Sequence, residues 1–186
     1  GPLAGGKIDL TARIGVNDWQ GYDISRSPTV FREGRSAEDS LNGEVGATYT
    51  RALTPTLKLE TRLIHEFSDY DGASTYNVLN NNLDEPEQVF SYDGESSESI
   101  LRALVRQERS PRITLELGGE VAYNMLDTDQ ALTVGGAVVP LPSASVKVEE
   151  TRGEAFGKGT YRVRPNLTLE AGLRLEASTI CLLYTS

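Results

Sequence analysis

Residues 160–178, TYRVRPNLTLEAGLRLEAS, pass through a proline and then alternate without a break. Leu167, Leu169, Ala171, Leu173, Leu175 and Ala177 fall on one parity; Thr168, Glu170, Gly172, Arg174 and Glu176 fall on the other. Successive side chains of a strand point to opposite faces, so the run makes one apolar and one charged face, a sorting that no helix produces. The same phrase occurs twice upstream. Pro55-Thr-Leu-Lys-Leu-Glu60, Pro111-Arg-Ile-Thr-Leu-Glu116 and Pro165-Asn-Leu-Thr-Leu-Glu170 share P-x-[L/I]-[K/T]-L-E at intervals of 56 and 54 residues. A recurring unit of that length calls for one structural explanation.

Working outward, six more segments show period two: 7–16, 41–53, 57–67, 99–108, 113–125 and 146–163. Three short proline turns, at Pro55, Pro111 and Pro165, alternate with three long polar connections near 25–40, 68–97 and 127–145. The middle one carries Asp69, Asp71, Asp84, Glu85, Glu87, Asp93 and Glu95 and the triplet Asn80-Asn81-Asn82. A connection near thirty residues is unusual in a compact soluble domain, whereas the outward loops of membrane barrels are long and their periplasmic turns short. The expected fold is therefore all-β: an antiparallel transmembrane β-barrel segment of seven long strands, with short periplasmic turns and long extracellular loops, forming an incomplete barrel.

Three features separate this reading from a soluble sheet, which also alternates. Apart from 146–163, the predicted strands run about ten to thirteen residues, nearer the length a tilted membrane strand needs than that of an ordinary soluble strand. Tyr49, Phe67, Tyr123 and Tyr161 stand near the ends of the apolar parity, as two interfacial girdles would. Short and long connections alternate strictly. On the opposite parity Glu60, Arg62, Arg102, Arg106, Glu116, Glu120, Glu154, Lys158, Glu170 and Arg174 would line a wet lumen, where charges pair or stay hydrated. Ile100 and Leu104 interrupt that charged parity.

Composition limits the chemistry. With 186 residues, a net charge of −9 and 38% hydrophobic residues, binding to nucleic acid through a general basic field is disfavoured. No run of eighteen apolar residues exists, which excludes membrane helices and leaves membrane strands open. His65 and Cys181 are single copies, too few for metal or thiol chemistry. His65 sits on the lipid-facing parity without a second histidine, so no catalytic, metal or cofactor role is assigned. The carboxylates of 69–95 suit calcium, but EF-hand spacing is missing, and a solvated outer loop is the preferred reading. Its aromatics Tyr70, Tyr76, Phe90 and Tyr92 are the candidate ligand contacts, able to stack on a small molecule. Gly118-Gly119, Gly135-Gly136 and Gly157-Lys158-Gly159 lack phosphate-loop context and read as strand and turn glycines.

Both ends read as cut. The chain starts GPLAGG without an initiator Met. Cys181-Leu-Leu-Tyr-Thr-Ser186 corresponds to a translation of the sequencing adapter TGTCTCTTATACACATCT. Residues 1–180 are thus expected to be part of one barrel domain and 181–186 a non-native tail.

The pattern E-x-F-x-x-x-T-Y-R-x-x-x-x-L-T-L-x-x-G-L-R-x-E is carried here by Glu154, Phe156, Thr160, Tyr161, Arg162, Leu167, Thr168, Leu169, Gly172, Leu173, Arg174 and Glu176. It resembles the barrel of TonB-dependent outer-membrane receptors, and the likeness extends over most of residues 41–180. The resemblance implies a plugged barrel of about twenty-two strands in the outer membrane of a Gram-negative bacterium. It implies import of a ferric siderophore, cobalamin, an oligosaccharide or a similar ligand, with energy passed through the TonB complex. The plug domain and the TonB-contacting box of that family have no counterpart in these residues, so this partnership rests on the likeness alone. Expected partners are outer-membrane lipid and a small-molecule ligand such as a metal chelate or oligosaccharide. A non-energised porin or assembly barrel, and a soluble β-repeat binding module, are the alternative readings; a propeller would need four strands per repeat where two are counted.

Overall fold

The computed structural model describes residues 1–81 and 83–185, with side chains through 183; Asn82 of the asparagine triplet and Ser186 of the terminal six lie outside the described residues. The described residues form one antiparallel sheet. Its long strands are β2 (Gly6–Arg26), β3 (Val30–Thr54), β4 (Leu57–Asn80), β6 (Gln88–Ser110), β7 (Ile113–Val134), β9 (Ser145–Arg164) and β10 (Leu167–Thr185). Three short pieces, β1 (Pro2–Leu3), β5 (Leu83–Asp84) and β8 (Ala137–Val139), pair with β2, β4 and β7. Each long strand neighbours the next in sequence, and among the described residues the sheet is open, with β10 paired only to β9.

All seven predicted strands are present, but they are far longer than the alternation suggested, 19 to 25 residues each. The polar stretches expected to be loops are mostly strand. Residues 30–40 pair with 70–80, and 68–76 pair with 88–96. The β2–β3 connection shrinks to Ser27–Thr29. The reason is that these segments are polar on both faces: water solvates either side, the ladder satisfies the backbone, and no apolar period remains to announce a strand. β10 likewise continues past Ile180, with Cys181 opposite Glu149 and Thr185 opposite Ser145.

The tight turns are built alike. Each places a proline in a two-residue connection beside a one-residue register shift. Proline presets φ for the turn, and at Pro55 and Pro111 a preceding hydroxyl holds it. The amides of Arg112 and Ile113 donate to Ser110 Oγ at 3.3 and 3.2 Å, and the amide of Thr56 donates to Thr54 Oγ1 at 3.3 Å. Gly135 and Gly136 take φ of 59° and 78° between the paired residues Val134 and Ala137. Two left-handed residues in succession make the mirror-image turn that a two-residue hairpin requires.

Register fixes the slant. Leu57, which begins β4, is in line with Gln107 and Leu115, two residues inside β7; Ile113 is in line with Tyr161 and Leu169, two residues inside β10. The sheet therefore steps one residue per strand. With about 3.3 Å of rise against about 4.8 Å of spacing, the strands tilt by about 35°, the range of closed barrels.

Side chains cover one another on one face and splay on the other. Ala122 is 1% exposed and lies in the row of Ile64 and Ile100. Leu117 and Leu173, of the opposite parity, are 69% and 70% exposed. The covered face is the inner side of a coiled sheet and the splayed face the outer one. Ile100, which breaks the charged alternation, belongs to this small inner apolar island.

Candidate functional site: an aromatic cluster above a cross-strand trough

Every one of the ten charged residues read as lumen-facing lies on the inner face, and each makes an ion pair. Arg174 meets Glu154 at 2.6 Å, Lys158 meets Glu170 at 2.9 Å and Arg106 meets Glu116 at 3.1 Å. Glu120 stands between Arg102 at 3.9 Å and Arg152 at 3.8 Å, and Arg62 reaches Glu60 on its own strand at 3.7 Å. Arg102 also covers the Phe156 ring, 4.7 Å from its centroid. Tyr49, Phe67, Tyr123 and Tyr161 all fall on the outer face, as do His65 and its partner Ser99, 2.9 Å from His65 Nδ1. His65 stacks on Phe67 at 6.2 Å.

Farther from the tight turns, the inner face opens into a cavity of about 670 Å³. Arg13, Glu44, Glu66, Glu98 and Asn124 form one cross-strand row of its lining; Gly15, Asn42, Ser68, Ser96 and Leu126 stand in the next, so polar groups and apolar surface share it. Arg13 reaches Glu44 at 3.8 Å. Asn124 Nδ2 donates to Glu150 at 3.1 Å, and the Ser68 hydroxyl donates to Asn42 at 2.7 Å.

Tyr70, Tyr76, Phe90 and Tyr92 stand on the same inner face, above that cavity. They are not on a loop: Tyr70 and Tyr76 belong to β4, Phe90 and Tyr92 to β6. Tyr70 follows Ser68 by one inner-face position, so the aromatic cluster begins where the trough ends. Tyr92 is central, 6.3 Å from Tyr70 and 6.0 Å from Phe90 between ring centroids. Its hydroxyl donates to Glu38 at 2.7 Å. That bond, then burial, then the negative charge of Glu38 hold the phenol above its usual range. Tyr76 is apart from the other three and lies under the Arg32 guanidinium at 4.1 Å.

Sequence reasoning missed Trp19 and Glu38, which share a cross-strand row with Gly72 and Tyr92. Their signal was parity: Trp19 continues the inner-facing series of Arg13, Gly15 and Asn17. Together the cluster offers ring faces for stacking, and the trough below offers carboxylates, amides and hydroxyls for orientation. That combination suits a small polar molecule with flat or cationic parts.

No family model matches the chain, and no curated protein does. Among solved structures, it is similar to a chain of the structure described as the FpvAI–pyocin S2 complex, with 10% identity and a TM-score of 0.42. The match covers 97% of this chain and 39% of that one, so the sequence spans about two fifths of that chain's length.

Proposed function

We propose that the sheet is a section of the wall of an outer-membrane β-barrel in a Gram-negative bacterium, its role transport and not catalysis. One observation carries this reading. Going from the tight turns along the outer parity of β2, β3, β4, β6, β7 and β9, the apolar and small residues, interrupted by His65 and Gln107, end on every strand at an acid: Asp18, Asp39, Asp69, Glu95, Asp127 and Glu149. Phe67 and Tyr123 each stand ten residues past the start of their strands, at the top of that band. Ten residues at a tilt of about 35° rise about 27 Å, close to the apolar band of such a barrel. A soluble sheet would need a second layer over the outer face. The complete gene product is expected to require detergent for solubility and to migrate differently before and after heating; a water-soluble monomer would refute the assignment.

At a finer level, the whole protein is proposed to be a TonB-dependent receptor that imports a scarce ligand. Support comes from the sequence resemblance and from the aromatic cluster set on the inner face beyond the apolar band. Uptake that collapses when the inner-membrane potential is dissipated is the expected result. Uptake that survives dissipation would favour a passive porin.

A further inference from the structure

The chain holds eighteen lysines and arginines. Eleven are within ion-pair distance of an acid. Two more, Arg26 and Arg32, lie over aromatic rings. That leaves five, and all five stand at the same end: Arg51, Arg109, Arg112, Arg162 and Arg164 surround the tight proline turns, exposed and without an acidic partner among the described residues. Asp9 and Glu108, near this end, are already held by Lys7 at 2.9 Å and Lys58 at 3.9 Å.

An arginine with acids within reach normally pairs, as those on the inner face do. A rim where five do not is a surface that presents positive charge. Arg51 has the outer parity, Arg109 stands at the register shift beside its turn, and Tyr49 and Tyr161 mark the same edge of the apolar band. The opposite edge carries the six acids described above. The sheet is thus polarised along its strands, cationic where the turns are and anionic at the far edge.

We propose that the tight-turn rim is a docking surface for anionic phospholipid headgroups, phosphatidylglycerol being the simplest. The inference rests on the reading of the sheet as a membrane wall. A guanidinium presents a planar fork to two phosphate oxygens, its stem lies along apolar surface, and cations at a bilayer interface attract anionic lipid. At the acidic edge the same headgroups would be repelled, so the preference belongs to one leaflet.

The test uses the full-length protein reconstituted in phosphatidylcholine vesicles, with spin-labelled phosphatidylglycerol or phosphatidylcholine as the reporter. The motionally restricted fraction is expected to favour phosphatidylglycerol at least threefold, within an upper scale of about fivefold per cation, and to lose that preference at high salt. In R109Q/R112Q/R162Q/R164Q the two lipids are expected to become equivalent, whereas R26Q/R32Q/R35Q, with three cations removed from the other end, should keep the preference. The two-site variants R109Q/R112Q and R162Q/R164Q serve if the fourfold variant does not fold, each giving a partial loss. Equal restriction of both lipids by the parent protein, or an undiminished preference in the rim variants, overturns the proposal while leaving the membrane wall standing. A protein that enters no vesicle and stays soluble removes both.

Discussion

Tyr70 and Tyr92, on neighbouring strands, each lie over the glycine directly opposite: Tyr92 over Gly72 and Tyr70 over Gly94, with ring centroids 6.3 Å apart and planes at 51°. A Cβ at Gly72 would stand 2.5 Å from the Tyr92 ring and 3.0 Å from the Ala37 carbonyl; one at Gly94 would stand 2.5 Å from the Tyr70 ring. An aromatic ring laid over a strand glycine restores the cover that the missing side chain would have given. The reciprocal arrangement pins the register of β4 against β6 in the region where no apolar period does so.

Gly72→Ala is therefore expected to displace Tyr92 and break its bond to Glu38, at a cost of about 1 to 2 kcal/mol of overpacking. Gly94→Ala should cost less, since the Tyr70 hydroxyl has no partner among the described residues to lose. Near-ultraviolet circular dichroism and amide exchange of residues 68–96 measure both. A Tyr92→Ala change made on top of Gly72→Ala should recover part of the loss; full additivity of the two would show that ring and glycine do not interact.

Alkaline titration should single out Tyr92. The Glu38 bond, burial and the neighbouring charge raise its pKa above 10.0, so the folded protein holds this proton more tightly than the unfolded chain does. The resulting stabilisation is complete below pH 10 and is lost as pH rises from 10 through the raised value. Absorbance of phenolate should show one tyrosine titrating late, and Glu38→Gln should bring it earlier. Unchanged curves in that variant would remove Glu38 as the cause.

The inner-face ion pairs are expected to differ in worth. Glu154 is 8% exposed and Arg174 reaches it at 2.6 Å, whereas Arg62 and Glu60 are both open to solvent and 3.7 Å apart. Arg174→Ala leaves a covered carboxylate unpaired and should cost about 2 kcal/mol; Arg62→Ala should cost less than about 1 kcal/mol. Denaturant unfolding in detergent or lipid compares them directly.

Charge placed on the outer face should report the height of the apolar band. Leu173→Arg, within it, should cost about 2 to 4 kcal/mol in a bilayer, while Ala131→Arg, of the same parity beyond Asp127, should cost under about 1 kcal/mol. Equal costs at the two positions would mean that lipid does not cover this face.

The inner and outer faces were legible because alternation is a local property of the strand. Leu167 to Ala177 name the outer face, and the same count carried along the chain places Tyr49, Phe67, Tyr123 and Tyr161 on it. Residues 30–40 and 68–96 were not legible as strand, since serines, aspartates and glycines on both parities leave nothing for periodicity to report. The mirrored spacings Tyr70-x-Gly72 and Tyr92-x-Gly94 are the one local trace of their pairing.

By itself, then, the sequence determined the all-β class, seven long strands, the proline turns and the face of each side chain within the alternating segments, because period two and turn chemistry act within a few residues. Only the tertiary structure decided how far the strands run, which acid each arginine meets, and that the arginines left over share one rim. Those depend on cross-strand register, which brings together residues such as Arg102 and Glu120 or Lys158 and Glu170 and is fixed by pairing across the whole sheet, not by any one stretch of it.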